Sequence, residues 1–480
     1  MKQSNNIKVI TRFAPSPTGE IHIGGARTAL FAYLFSKHSG GDFLLRIEDT
    51  DRERLVEGSD QRIIDSLNWL GIAADNQNKP MIQSERLDIY KKYTLELINS
   101  GKAYICTCTK EELEKEREAQ IKKGLAPRYS KKCRSQISDL KISEELLEKG
   151  ATVRLKMPES GKIIVDDLIR GKVEFDASLL DDQIILKSDG FPTYHLASVV
   201  DDHEMGITHV IRSDEWLPST PKHLVLYQAF GWQEPDFAHL SMILDADKKK
   251  LSKRHGAKSI LEYKEQGYLA EALINYISLL GWNPKSEREL FGLEELVKEF
   301  ELRNVHVSPA VFDQVRLDFF NEHYLREKNI EELKELIGQY PDEALKLIQR
   351  GGYATANIAR DYLDKLFKGP EYGASLLVFK KSNREATLRG LKGVLGEIKG
   401  DKGEQGGGRD NEGIVWTDER LQSILSGVVE REGLSNGDVF WPVRVALSGE
   451  EKSPSPLELM LALGKDVVVK RIEEAIGKLG

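Results

Sequence analysis

The stretch from residue 9 to residue 71 limits the fold more than any other part of the chain. Val9–Phe13 carries β-branched and aromatic residues and reads as a short strand. Pro15 and Pro17 keep the chain extended behind it. Gly24–His38 reads as a helix with Leu30, Phe31, Leu34 and Phe35 on one stripe, and Gly40-Gly41 stops it. Phe43–Ile47 is the next strand and Gly58–Leu70 the next helix, capped by Gly71. Strand and helix alternating over such short links fold as a parallel sheet covered by helices.

That rhythm breaks near Tyr104 and resumes near Tyr194. In between, Thr109 and Glu112 make a capping box for a charged helix, Lys110–Lys123. Val153–Lys156 and Lys162–Val165 read as short strands. Beyond the break, Thr208–Arg212 is a strand, Pro218–Phe230 a helix and His239–Leu244 a strand. Helices return near Leu269–Leu280 and dominate from about residue 325. Lys399–Glu412, rich in glycine and charge, reads as a loop. The expected architecture is a Rossmann-type α/β domain (residues 1–103 and 190–255) with an inserted α+β domain (104–189). A helical domain (256–325) and an all-α C-terminal region (326–480) follow.

With 480 residues, 40% hydrophobic and 30% charged, the chain can fill several cores. A net charge of -8 excludes a uniformly basic surface, so nucleic acid would have to meet local basic patches. No apolar run approaches the roughly 18 residues of a membrane span. Met1–Lys8 has no apolar signal core, so a cytoplasmic protein with no membrane partner is expected. Three cysteines build no disulfide framework; Cys106, Cys108 and Cys133 are free thiols or a metal site.

Two segments suit phosphate. The first is Arg12-Phe13-Ala14-Pro15-Ser16-Pro17-Thr18-Gly19 with His22-Ile23-Gly24-Gly25, lying between strand and helix. A helix N-terminus offers unpaired N–H groups and a positive dipole end, and Gly24 and Gly25 permit close approach of a nucleotide. His22 can donate to a phosphate as charge moves onto the leaving group. Alone, the same residues also describe an ordinary strand–helix turn with a surface histidine. The second segment is Lys248-Lys249-Lys250-Leu251-Ser252-Lys253-Arg254. A mobile basic loop can close over phosphates, although a charge run is more often a solvated face.

Taken together, in this order and more than 200 residues apart, the two segments resemble the HIGH and KMSKS signatures of class I aminoacyl-tRNA synthetases. Leu44–Asp51, Asp189–Asp202, Val210–Trp216 and Leu463–Lys465 are similar to the bacterial glutamyl members of that family. Gly25 in place of histidine, and Leu251 and Arg254 in place of methionine and serine, are the departures; both narrow the match to the glutamyl branch.

The resemblance implies ATP-dependent activation of L-glutamate to glutamyl-adenylate and transfer to the 3' end of tRNA(Glu), with Mg2+ on the ATP phosphates. It places Arg12, Ala14, Ser16, Glu48, Tyr194 and Arg212 around glutamate. It places His22, Gly24, Gly25, Glu215, Ile243 and Lys253 around ATP, with His22, Lys250 and Lys253 catalytic. Arginines for carboxylates and an acid for an ammonium are what such a substrate needs. A surface ion pair of Glu48 with Arg46 or Arg52, and a core role for Tyr194, are the plain alternatives. Residues 1–103 and 190–255 would be catalytic, 104–189 acceptor-binding, 256–325 stem-contacting and 326–480 anticodon-binding. Activation would wait for bound tRNA, and the protein would act as a monomer.

Cys106-x-Cys108 and Cys133 resemble the Zn2+ site of some bacterial members. Those members place histidine where this chain has Ser135, and Tyr129 is a weaker substitute. Lys122, Lys123, Arg128, Lys131, Lys132 and Arg134 suit phosphate contacts of tRNA. An enzyme that also loads tRNA(Gln) is the nearest alternative. A queuosine-type paralog would lack the C-terminal half, a non-catalytic tRNA binder would not need His22, Lys250 and Lys253, and a generic nucleotidylyltransferase would not need Glu48, Tyr194 and Arg212.

Overall fold

The computed structural model describes residues 8–125, 127–135, 145–251, 258–400 and 416–480. The chain divides into two compact units, Met1–Lys264 with Leu273–Arg316, and Glu265–Ala272 with Leu317–Gly480.

The first unit opens with β1 (Ile10–Phe13), α1 (Ile23–His38), β2 (Asp42–Ile47), α2 (Ser59–Trp69), β3 (Met81–Ile82) and α3 (Leu87–Asn99). β1 pairs with β2 and β2 with β3, all parallel. α1 has Ala26, Ala29, Leu30, Phe31, Ala32 and Leu34 fully buried. Apolar residues on nearly every face of a helix mean that it is enclosed by protein, and the alanines let it lie close to its neighbours.

The next elements are β4 (Ala103–Cys106), α4 (Lys110–Lys122), β5 (Thr152–Leu155), β6 (Lys162–Asp167), β7 (Gly171–Asp176) and β8 (Ile184–Leu186). β4, β5 and β8 form an antiparallel sheet, and β6 and β7 an antiparallel hairpin. The capping box read at Thr109 and Glu112 is present.

Then come α5 (Tyr194–Glu204), β9 (His209–Ser213), α6 (Thr220–Phe230), β10 (Asp236–Leu240), β11 (Ile243–Leu244) and β12 (Ala310–Val311). Thr208, just before β9, donates its N–H to the Ile10 carbonyl at 2.9 Å. Ile10 returns its N–H to the Thr208 hydroxyl at 2.8 Å. β9 pairs with β10 in parallel and belongs to the sheet β7–β6–β10–β9, whereas β1 belongs to the sheet β1–β2–β3. The two sheets meet where Ile10 bonds to Thr208.

Two sequence expectations are corrected. His239–Leu244 is not one strand: β10 ends at Leu240 and β11 starts at Ile243, where the chain turns to pair with Ala310. Arg27 of α1 explains the break, because it takes the carbonyl of Ser241 and, at 3.1 Å, that of Leu280. Lys399 and Gly400 are not loop but the last turn of the helix Arg384–Gly400. The remainder of that glycine-rich run, from residue 401, lies outside the described residues.

In the second unit, the helices Arg384–Gly400, Asp418–Glu432, Asn436–Ser448, Pro456–Leu463 and Lys465–Leu479 surround a core that includes Leu391, Val394, Leu425, Val443, Leu459 and Ile472. Ser455 accepts from the Glu458 N–H and Pro456 occupies the first turn, which fixes where one of them starts. Buried Arg471 donates to the Leu447 carbonyl at 2.6 Å and the Leu366 carbonyl at 2.5 Å.

A buried charge cluster ties the first unit together. Arg46 of β2 has no exposed surface. It donates to Asp202 of α5 at 2.6 Å and to Glu48 at 2.9 Å. Arg12 of β1 donates to the same Asp202 carboxylate at 3.0 Å and 3.4 Å. Burial alone would raise the Asp202 pKa, but Arg12 and Arg46 outweigh it and hold the carboxyl below its ordinary range. Its stabilising effect is therefore present above the ordinary carboxylate range and lost as pH falls through the lowered value.

Asp202→Ala would leave two buried guanidinium groups without their shared carboxylate. We expect a loss of roughly 3–5 kcal/mol, the usual cost of breaking a buried ion pair, measured as a lower denaturant midpoint. An unchanged midpoint would contradict the role of this cluster.

Candidate active site

The carboxyl ends of β1, β2 and β9 open onto a cavity of about 920 Å3. Ligands of open α/β sheets settle outside the carboxyl ends of the strands. Arg12, Ala14, Ser16, Glu48, Tyr194 and Arg212 all line it, as do His22 and Gly25. The six residues expected around glutamate thus share one cavity.

Its charges are unevenly matched. Glu48 pairs with Arg46, as the plain reading expected, but the pair is buried rather than on the surface. Burial raises the Glu48 pKa even against Arg46, so a further cation would be welcome beside it. Arg12 is already committed to Asp202.

Arg212 is 5% exposed, and its partners among the described residues are all uncharged. It donates to the Tyr194 hydroxyl at 2.8 Å, the Thr220 hydroxyl at 2.9 Å and His239 Nε2 at 3.1 Å. His223 Nδ1 lies 3.4 Å from it. Burial lowers the pKa of His239 and drives that of His223 well down, so both rings are neutral. A buried guanidinium without a carboxylate is costly unless an anion arrives. Tyr194 packs on Trp216 with ring centroids 4.2 Å apart, which walls the cavity beside Arg212.

His22 caps α1. Its Nδ1 accepts from the Gly24 N–H at 3.0 Å and the Gly25 N–H at 3.4 Å. A neutral ring that accepts at Nδ1 carries its proton on Nε2, which makes that nitrogen a donor. The two glycine N–H groups, read from sequence as open to phosphate, are thus satisfied by His22. A Cβ on Gly24 would lie 2.9 Å from the imidazole Cε1, so the cap needs glycine there.

The residues expected around ATP are less concentrated. His22 and Gly25 line the cavity, whereas Gly24, Glu215, Ile243 and Lys250 lie outside its lining. Glu215 instead forms an ion pair with Lys250. Ile243 is buried, and its carbonyl accepts from the Leu251 N–H at 2.9 Å. Lys253, with Ser252 and Arg254, lies outside the described residues.

A second cluster lies at the end of β4. The sulfurs of Cys106, Cys108 and Cys133 all lie within 4.8 Å of one another. The Tyr129 hydroxyl is 3.4 Å from Cys106 Sγ and 3.5 Å from Cys108 Sγ. Ser135 is exposed. The oxygen beside the three thiols is therefore that of Tyr129. Arg154 lies 3.8 Å over the Tyr129 ring and holds it there. Among the basic residues nearby, Arg128 donates to the Ser178 carbonyl, Lys132 pairs with Glu112, and Arg134 pairs with Glu159 and Asp182.

Sequence reasoning assigned no role to Asp202, Trp216, His223 or His239. A signal for Asp202 existed: Asp201 and Asp202 end an apolar run from Leu196 to Val200, and buried acids need partners. Nothing local marked the histidines.

Comparison with known proteins gives one answer throughout. Residues 8–319 match the catalytic domain of class I tRNA synthetases (E and Q), and residues 317–476 match an anticodon-binding domain. The glutamate–tRNA ligase of Desulforamulus reducens is 40% identical over 98% of this chain and 100% of its own. That of Clostridium kluyveri is 42% identical over 98% of each chain. The crystal structure of a glutamate tRNA ligase from Elizabethkingia meningosepticum, in complex with its amino acid, is 35% identical. It superposes with a TM-score of 0.86 over 99% of this chain and 100% of that one. The cavity, the parallel strands that open onto it and the likeness over nearly the full length agree, and the chain belongs to the glutamate–tRNA ligases, class I tRNA synthetases of the glutamate and glutamine branch.

Proposed function

We propose that the cavity under β1, β2 and β9, on a Rossmann-type sheet, is where L-glutamate is activated with ATP before transfer to tRNA(Glu). The observation that carries this reading is Arg212, a buried cation at the cavity wall whose partners among the described residues are all neutral. A substrate carboxylate supplies the anion it lacks. Glu48, buried and raised in pKa, receives the ammonium. Arg12, Ala14, Ser16 and Tyr194 complete the glutamate site. Names of the relatives lend no support to additional charging of tRNA(Gln).

The chemistry has two displacements. A glutamate carboxylate oxygen attacks the α-phosphorus of ATP, the P–O bond to the bridging oxygen breaks, and pyrophosphate leaves. A terminal ribose hydroxyl of tRNA then attacks the glutamyl carbonyl and AMP leaves. Neither step needs a protein nucleophile, so positioning and charge stabilisation dominate. His22 Nε2–H donates to phosphate oxygens at the head of α1, and Lys250 and Lys253 close over the phosphates with Gly24, Gly25, Glu215 and Ile243 framing the nucleotide. Opening the Glu215–Lys250 pair would release both side chains for ATP. Mg2+ bound to the phosphates supplies further charge neutralisation.

Residues 104–189 serve the tRNA acceptor end, 256–325 its stem and 326–480 its anticodon, and the working unit is a cytoplasmic monomer. No helix among the described residues is long and apolar enough to cross a membrane.

Cys106, Cys108 and Cys133 would hold one Zn2+, with Tyr129 as the fourth group. The three sulfurs lie within 4.8 Å of one another, those of Cys108 and Cys133 3.5 Å apart, a cluster one tetrahedral ion could bridge. The ion would tie Tyr129 and Cys133 to the end of β4 without taking part in the reaction.

Charging of purified tRNA(Glu) and tRNA(Gln) with labelled glutamate is the functional test. We expect ATP-dependent esterification of tRNA(Glu) and background counts on tRNA(Gln); failure on both would refute the assignment. Metal analysis of the purified protein should return about one zinc per chain, and Tyr129→Phe should lower that content; less than a tenth of an equivalent in the wild type would rule the site out.

A further inference from the structure

We propose that Asp167 and His239 are a positioning pair for Arg212, in which Asp167 fixes the tautomer of His239 and His239 orients the guanidinium toward the cavity. This deepens the proposed function and rests on its reading of Arg212 as a carboxylate ligand.

The geometry follows from the strands. His239 of β10 lies directly opposite Arg212 of β9 in register. Asp167 ends β6, paired with Phe237 of β10. All three side chains are buried: Asp167 3%, His239 0% and Arg212 5% exposed.

Asp167 Oδ1 accepts the N–H groups of Ile169 at 3.0 Å and Arg170 at 2.9 Å. Its Oδ2 accepts the backbone N–H of His239 at 3.1 Å and faces His239 Nδ1 at 2.6 Å. A carboxylate oxygen so placed only accepts, so Nδ1 carries the proton. In the neutral ring Nε2 is then an acceptor, and Arg212 Nε–H donates to it at 3.1 Å. The Thr220 hydroxyl takes Arg212 Nη2 at 2.9 Å.

A neutral ring between acid and guanidinium has a specific consequence. An aspartate touching Arg212 directly would orient it but also neutralise it. Routed through His239, the acid supplies direction while the positive charge of Arg212 stays unspent for the substrate. Burial keeps the ring neutral, in agreement with the lowered pKa of His239. The same acid fixes the backbone turn at Ile169 and Arg170, so the orienting group is itself rigid.

The test is steady-state aminoacylation by the whole enzyme, with KM for glutamate and KM for ATP measured separately. The variants are Arg212→Met, His239→Leu, His239→Gln and Asp167→Asn, each checked for a native melting transition. Losing a hydrogen bond to a charged group predicts about a tenfold or greater rise in the glutamate KM for His239→Leu. The ATP KM should stay within about twofold. His239→Gln, whose side-chain oxygen can accept near the position of Nε2, should recover most of the loss. Asp167→Asn, which can turn an N–H toward Nδ1 and reverse the tautomer, should raise the glutamate KM as His239→Leu does. If His239→Leu does not fold, the contrast between Asp167→Asn and His239→Gln carries the test. Equal rises in both KM values, or a glutamine variant as poor as the leucine one, would overturn the positioning role. A glutamate KM that rises in Arg212→Met but not in the His239 and Asp167 variants overturns the pair alone. One that does not rise in Arg212→Met overturns the reading of Arg212 as well.

Discussion

The first unit depends on one shared carboxylate. Asp202 accepts from Arg12 of β1 and from Arg46 of β2, and so clamps α5 across two strands. Two buried cations on neighbouring strands would otherwise repel each other and remain desolvated. With Asp202 in place, Arg46 can also hold Glu48, and Arg12 is fixed at the cavity. The charges at the cavity are consequently fixed by the protein's own ion pairs, which is the condition for electrostatic stabilisation without reorganisation.

Within that frame the two sides of the cavity are treated differently. On the β1–β2 side each charge has an opposite charge beside it, although burial leaves the Glu48 pKa raised. On the β9 side the partners of Arg212 among the described residues are uncharged: hydroxyl, imidazole and a backbone carbonyl. The imbalance has a direction: it favours a ligand that brings an anion to Arg212 and a cation to Glu48, and an amino acid with a second carboxylate does both.

Much of this was legible in the sequence where the signal is local. The Val9–Phe13 strand, the helix to His38 and the glycine stop are set by neighbouring residues, and they stand as β1 and α1. The capping box at Thr109 is local in the same way. The break between β10 and β11 was not legible, because its cause is Arg27, more than 200 residues away in sequence. The sequence named the thiols and offered Tyr129 as a weaker substitute for a histidine at position 135; only the fold shows the phenol over the sulfurs and Ser135 exposed. The six residues expected around glutamate came from motif likeness, and they line one cavity. Their partners lie on other strands and helices: Asp202 carried a signal as a buried acid, but nothing local marked the histidine at 239.

The most direct measurement is a crystal structure of this protein with L-glutamate bound. The account predicts one substrate carboxylate about 3 Å from the Arg212 guanidinium, the ammonium on Glu48, and the Arg12–Asp202 pair unbroken. Glutamate bound without touching Arg212, or Arg212 turned onto a carboxylate of the protein itself, would contradict it.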